Sequence, residues 1–318
     1  MQIYLAPMEG ITNYIYRSAL DRWFPGVNRY FTPFISAQKN LNKKQDRDVN
    51  PQNNPNMQVI PQLMAHRAED VLKMQALLKE RYGYNEINLN QGCPSQTVVS
   101  KNHGSGFLRD VENMERYFDE LFQKADFPIS VKTRLGVEDV SEWDAILAVY
   151  QKFPFSEIII HPRTTRDQYA GKPRMEAFSE GLERLSGKSI CYNGDIVTLA
   201  DYVAIKEAYP NLEKVMIGRG ILKNPMLLKA IENYEKTGLC DESIPHEYWV
   251  NLYGMMKQIR DVMQETFSGD AHVLAHLKEL WGYLAGLFPE NKKEIKSLKK
   301  SRKLAEYDAV VQLLFQGK

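Results

Sequence analysis

A rhythm constrains this 318-residue chain more than any single motif does. Short β-branched or apolar runs recur, each followed by turn residues and then a longer stretch with helical spacing, which is the pattern of repeated βα units. The runs are Gln2–Pro7, Arg29–Phe34, Val59–Met64, Glu86–Asn90, Ile129–Leu135, Glu157–His161, Ser189–Asp195 and Lys214–Gly220. Eight units over about 240 residues is what a (β/α)8 barrel needs. The competing architecture, a doubly wound open sheet, wants a glycine-rich phosphate turn after an early strand, and neither G-x-G-x-x-G nor G-x-x-x-x-G-K-[ST] occurs.

The fold expected is therefore an α/β TIM barrel over residues 1–238, a linker over 239–246 and a small all-helical C-terminal domain over 247–318. In the last of these, Trp249, Leu252, Met256, Ile259 and Met263 recur at three-four spacing, as do Val273, Leu277, Leu280, Leu284 and Leu287, and a further helix is read around Leu304–Phe315. Two long connections fall on the face of the barrel where chemistry is expected. Gln91–Asp110 follows the fourth strand and is rich in turn formers, and Ser36–Met57, rich in Asn, Gln and Lys, reads as an extended, mobile loop.

Composition serves mainly to exclude. With 43% hydrophobic and 25% charged residues the chain can bury a core and is not disordered. No window approaches the roughly 18 apolar residues of a membrane span, and the N-terminal residues lack a secretory pattern, so a cytoplasmic protein without a membrane partner is expected. Three cysteines are too few and too scattered for a disulfide framework or zinc cluster, so no metal is expected. Cys191 and Cys240 read as buried, inert thiols, whereas Cys93, in Asn90-Gln91-Gly92-Cys93-Pro94, is bent out of any regular packing. His272 and His276 stand four apart without a third ligand and read as ordinary helix-face residues rather than a metal site. Forty-one basic against forty acidic residues give no global pull on a polyanion, so one would have to be held locally. The candidate is Asn291–Lys303, with seven basic residues and one acid.

A barrel places reactive groups at the carboxyl ends of its strands. Those ends are polar here: Pro7-Met8-Glu9-Gly10, Gln62, Asn88 and Asn90 leading to Cys93, Lys132 with Arg134, His161 with Arg163, Asn193-Gly194-Asp195, and Gly218-Arg219-Gly220. Lys132 and Arg134, two apart on a strand, point to the same side, and both would be desolvated there without a polar or anionic ligand. The glycine turns after strands seven and eight lie where barrels frequently hold phosphate. Cys93 could serve as a proton donor, or as a nucleophile if His103 or His161 activated it.

These strand ends resemble the tRNA-dihydrouridine synthase family. The resemblance runs through Leu5-Ala-Pro-Met-Glu-Gly-Ile-Thr12, Ile87-Asn-Leu-Asn-Gln-Gly-Cys-Pro-Ser95, Val131-Lys-Thr-Arg-Leu-Gly136, His161-Pro-Arg-Thr164, Tyr192-Asn-Gly-Asp195 and Val215-Met-Ile-Gly-Arg-Gly220, in the family's order. It implies an FMN enzyme that reduces chosen uridines of tRNA, with NADPH as reductant. Hydride would pass to C6 of uracil and the Cys93 proton to C5. By the same resemblance Pro7 and Met8 lie along the flavin ring, and Gln62 and Lys132 meet its polar edge. His161, Asn193, Asp195, Gly218 and Arg219 hold the ribityl phosphate chain, with Asp195 on ribityl hydroxyls or the turn. Asn90 and Arg134 bind the uracil. The target base must be extruded to reach such a pocket. Lys292, Lys293, Lys296, Lys299, Lys300, Arg302 and Lys303 would neutralise tRNA phosphates, helped by Lys101, Arg163, Arg166, Lys172 and Arg174 on the barrel face. A monomer is expected. The chain departs from the family pattern at Pro33 after Thr32, at Gln91 and at Pro162. Two other readings share parts of this evidence: a small-pyrimidine flavin oxidoreductase of the dihydroorotate or dihydropyrimidine kind, which gives the basic tail no role, and a catalytically silent RNA-binding barrel.

Overall fold

The computed structural model describes residues 1–37, 40–241 and 243–318. They group into two compact units, the first made of Met1–Pro7, Asn28–Asp195 and Asn211–Met216 and the second of Met8–Val27, Ile196–Pro210 and Ile217–Lys318.

The first unit is built on ten short strands: β1 (Gln2–Leu5), β2 (Arg29–Phe31), β3 (Ile35–Ser36), β4 (Val59–Ile60), β5 (Gln62–Met64), β6 (Ile87–Gln91), β7 (Ile129–Arg134), β8 (Glu157–His161), β9 (Ile190–Tyr192) and β10 (Lys214–Ile217). Their order in the sheet is β3-β5-β6-β7-β8-β9-β10-β1-β2-β4. Because only Pro61 separates β4 from β5, the two ends of that row are one stretch of chain, and the sheet closes on itself. Pro61 has no N–H to give the ladder, so the strand breaks there. Thr32 spans the break, its amide donating to the Ile60 carbonyl at 3.1 Å and its hydroxyl accepting from the Gln62 amide at 3.0 Å. Taking β2 with β3 and β4 with β5 leaves eight parallel staves, as the sequence rhythm requires of a TIM barrel. Its interior is packed by a buried cluster of Tyr4, Ala6, Phe31, Ile60, Ile159, Cys191 and Met216.

Residues 36–57, expected to be a loop, contain a helix at Lys43–Val49 and a 3-10 turn at Pro51–Asn53. The reason is local. Asn42 accepts from the amides of Lys44 and Gln45 while the Gln45 side chain accepts from the Asn42 amide, a reciprocal cap that starts the helix, and Val49 buries its far end. Gln38 and Lys39 of that segment lie outside the described residues.

The second unit is helical. Tyr14–Trp23 joins the C-terminal helices His246–Thr266, Asp270–Leu284, Lys292–Lys300 and Leu304–Phe315. Gly254 makes that close approach possible, since a Cβ there would stand 2.4 Å from the Trp23 ring, and Trp23 Nε1 donates to Gln258 at 2.9 Å. The apolar positions read at three-four spacing pack inward, with Leu252, Met256, Ile259, Met263, Val273, Leu277, Leu280 and Leu284 all buried. Cys240 departs from expectation: it is exposed, beside a Leu239 that is itself 69% exposed in a stretch with no regular structure to cover it. Glu242, within the expected linker, lies outside the described residues. Among the described residues no helix is long and apolar enough to cross a membrane.

Candidate active site

Strand β6 ends in Asn90 and Gln91, and the chain turns sharply through Gly92, Cys93 and Pro94. Asn90 organises the turn: its Oδ1 accepts from the amides of Gly92 at 3.2 Å and Cys93 at 3.0 Å, and its Nδ2 donates to Gln62 Oε1 at 2.7 Å. Gln62 passes the orientation on, donating to Asn88 at 2.8 Å, and Asn88 donates to Ser130 at 3.0 Å. This relay across β5, β6 and β7 fixes which way each amide faces. On the other side, the Cys93 carbonyl accepts from both the amide and the hydroxyl of Ser105, at 3.1 and 2.9 Å. Gly104 presses on the same residue: its φ is +55°, and a Cβ would fall 2.8 Å from the Cys93 carbonyl oxygen and 2.9 Å from Cys93 Cβ. Cys93 itself is partly exposed and takes part in no disulfide.

Strand β7 brings two cations to this turn. Arg134, 1% exposed, donates through Nε to the Gly92 carbonyl at 2.9 Å and through Nη1 to the carbonyls of Thr164 at 2.7 Å and Gln168 at 2.8 Å. Its guanidinium lies 5.4 Å from the ring of Tyr169, which is 50% exposed. Burial pushes Arg134 down to about 10. Lys132 is pushed down to about 7, by burial first and by the Arg134 charge second. Neither forms an ion pair among the described residues, and Lys132 has no hydrogen-bond partner there either, while the charge of Cys93 bears on both. Two neighbouring basic side chains, one buried on backbone carbonyls and one half-buried, with no carboxylate partner among the described residues, suit an anionic or strongly polar ligand.

Strands β8 and β9 end in a second cluster. Arg163 is fully buried and donates through Nη1 to His161 Nε2 and to Asp195, at 3.2 Å each, with Nη2 on the other carboxylate oxygen. An arginine can only donate, so Nε2 of His161 accepts. Asn193 donates to the Met216 carbonyl at 2.8 Å. This arrangement corrects the expectation that Arg163 meets RNA phosphate: it is sealed against Asp195, and the same pairing accounts for an aspartate in this turn. Lys101, Arg166 and Lys172 are exposed, whereas Arg174 is tied to Asp167, which it holds well below the usual carboxylate range. His103, adjacent to Gly104, faces His66 with a ring-nitrogen separation of 2.9 Å, and burial, then the His66 charge, pushes it below its ordinary value.

Met8, Gly218 and Arg219 belong to the second unit. The Met8 amide donates to Thr12 Oγ1 at 2.7 Å and its carbonyl accepts from Ile11 and Thr12. Gly218 leads into the helix Arg219–Lys223, where a Cβ on Gly220 would fall 2.0 Å from the Ile196 carbonyl oxygen. Sequence reasoning missed Tyr169, Ser105 and His66. Their importance comes from chain segments brought together from 12 to 37 positions away, which no local motif records.

A chain with this barrel and this cysteine turn can be compared with known proteins. The profile of the dihydrouridine synthase family matches residues 4–314. The chain belongs to this family. The tRNA-dihydrouridine(16) synthase of Haemophilus influenzae is 29% identical over 301 residues, 89% of this chain and 90% of that one, and its namesake from Neisseria meningitidis is 25% identical over 294 residues, 89% and 85%. A probable tRNA-dihydrouridine synthase 1 of Synechocystis is 28% identical over 244 residues, 73% of this chain but 65% of that protein. Among solved structures, morphinone reductase superposes with a TM-score of 0.52 at 11% identity over 78% of this chain and 88% of its own. The old yellow enzyme homologue of Zymomonas mobilis does so with a TM-score of 0.52 at 11% identity, over 78% and 92%. These two similarities concern the fold. As a dihydrouridine synthase, the protein is an oxidoreductase that reduces uridine in tRNA.

Proposed function

We propose that this dihydrouridine synthase binds FMN at the carboxyl ends of its barrel strands, draws reducing equivalents from NADPH, and protonates C5 of the uracil with Cys93, acting as a cytoplasmic monomer. The observation that carries the reading is Lys132: a basic side chain with no hydrogen-bond partner among the described residues, whose field includes a thiol with its backbone clamped on both sides. A cofactor of this kind supplies hydride to C6 of the uracil. Lys132 would hold its polar edge together with Gln62, which keeps one N–H and one lone pair beyond its bonds to Asn88 and Asn90. Pro7 would lie along the ring, and His161, Asn193 and Asp195 would take the polar chain.

The remaining steps belong to the protein. A thiol that carries its proton can give it away as a general acid. The thiolate left behind is stabilised by the two cations that share its field. Asn90 spends its oxygen on the Cys93 turn, so toward the uracil it can offer only its second Nδ2 proton. Arg134 holds the same turn through the Gly92 carbonyl, with the Tyr169 ring beside its guanidinium. The uridine has to leave its stack to enter, and the substrate proposed is position 16 of tRNA, because the two relatives matched along nearly 90% of this chain carry that position in their names. The helical region 247–318, with its basic segment and with Lys101 on the barrel, would hold the RNA backbone.

The decisive experiment replaces the thiol. Cys93→Ala should keep bound flavin, seen by its visible absorbance, while dihydrouridine formation falls by about 100-fold or more. Mass-spectrometric mapping of the reduced tRNA should find the change at position 16. A Cys93→Ala enzyme as fast as the parent would remove the proposed acid.

A further inference from the structure

Two histidines meet on the catalytic face, outside the residues that the proposed reaction uses. His66 lies just past the end of β5, in the connection to the helix Ala68–Tyr82, and His103 lies in the connection that follows β6. His66 Nδ1 stands 2.9 Å from His103 Nε2, with ring centroids 4.8 Å apart and planes at 86°. His66 is exposed and His103 partly exposed, so core packing does not explain the contact. It joins two neighbouring connections of the barrel.

What His103 anchors is the turn that carries the thiol. Its amide donates to the Val98 carbonyl at 3.2 Å and its carbonyl accepts from the Gly106 amide at 2.9 Å, bonds internal to the loop. The next residue is Gly104, pressed against Cys93, and after it comes Ser105, which donates twice to the Cys93 carbonyl. A side chain at 103 fastened to the connection after β5 therefore restrains that turn from outside. The fastening has a chemical condition. Two imidazoles share a hydrogen bond only while one nitrogen keeps a lone pair, so the bond survives with both rings neutral or one charged and is lost when both are charged. Lys101 bears on His103 with the same sign, while Arg67 beside His66 is paired at 2.8 Å with Glu69, which also takes Lys73. Among the described residues neither imidazole pairs with a carboxylate that would favour the doubly charged state. Burial, then the His66 charge, pushes His103 down, which puts the second protonation below about pH 6.5.

We propose that His66 and His103 are positioning residues whose contact latches the cysteine turn for proton transfer to the uracil and releases it when both rings carry a proton. The proposal rests on Cys93 being the acid. The test is single-turnover reduction of saturating tRNA by the flavin-loaded, pre-reduced enzyme from about pH 5 to 8. Near pH 7.5, His66→Ala should slow the reaction about 3- to 10-fold, the population shift that one hydrogen bond of ordinary strength can hold, with flavin content and tRNA Kd within about twofold of the parent. The parent rate should fall below about pH 6. His66→Gln, whose amide can donate to a neutral ring or accept from a charged one, should restore the rate near neutrality and keep it down to about pH 5. A His66→Ala enzyme as fast as the parent, a parent rate that stays flat in acid, or a His66→Gln enzyme that keeps the parent's acid fall would each overturn the latch. A Cys93→Ala enzyme that reduces tRNA at the parental rate would instead overturn the reading of the acid, so the two failures are distinguishable.

Discussion

Lys132 is the residue on which the proposed cofactor site rests. Its position two before Arg134 on a strand is readable from the sequence, because the period of two puts both on one side. What the sequence does not disclose is that Arg134 finds three backbone carbonyls while Lys132 finds no hydrogen-bond partner among the described residues. Those carbonyls come from Gly92, Thr164 and Gln168, up to 42 positions away. The depressed Lys132 pKa, about 7, makes a prediction about stability. The unfolded chain holds this proton up to about pH 10.4, so folding releases it at any pH between the two values. The ligand-free protein is therefore most stable above the unfolded value and loses stability as pH falls toward 7. Lys132→Met should remove that slope, make the flavin-stripped protein about 2–4 kcal/mol more stable at pH 7, and weaken flavin binding at the same time. Urea melts between pH 7 and 10, with a parallel flavin titration, check both halves. A variant that is more stable yet binds flavin undiminished would separate Lys132 from the cofactor.

At the scale of elements, the eight strands were legible because apolar runs and barrel staves share a length. The errors fall at their ends. The runs overshoot at Pro7, Leu135, Asp195 and Gly220, where apolar or turn residues continue past the last ladder bond. The Lys43–Val49 helix was missed because seven polar-rich residues carry little periodicity, although Asn42 and Gln45 held the capping signal. The connection after β6 was expected on the catalytic face from its turn formers, but its shape depends on Gly104 lying against Cys93. That contact makes a sharp test. Gly104→Ala puts a methyl where the Cys93 carbonyl and Cβ already stand, in a backbone conformation alanine disfavours by roughly 1 kcal/mol. The turn must shift by a good part of an ångström, and displacement on that scale costs about 100-fold in rate when geometry is catalytic. Dihydrouridine formation at saturating tRNA should fall by that order while flavin affinity and tRNA Kd stay near the parent values. If rate and flavin binding fell together, the loop would be shaping the cofactor site rather than the thiol.

Across the whole molecule, charge is the property that length and composition describe least well. Forty-one basic and forty acidic residues cancel, and acids are held locally in pairs such as Lys257 with Asp261 or Arg260 with Asp308. The helix Lys292–Lys300 is different: it buries only Ile295 and Leu298 and turns five lysines outward around a single glutamate. A chain with no net pull on RNA can thus present a concentrated one, and the dependence of binding on salt measures it. Each phosphate neutralised contributes roughly 0.7–0.9 to the slope of log Kd against log salt. Lys292→Gln/Lys293→Gln/Lys296→Gln should therefore lower that slope by about two and weaken binding at low salt by about 100-fold, with the gap closing as salt rises. Turnover at saturating tRNA should hold, since none of the removed amines is given a part in the reduction itself. An unchanged slope would mean that the helix faces water in the complex, and that the barrel surface around Lys101 carries the electrostatic part of recognition.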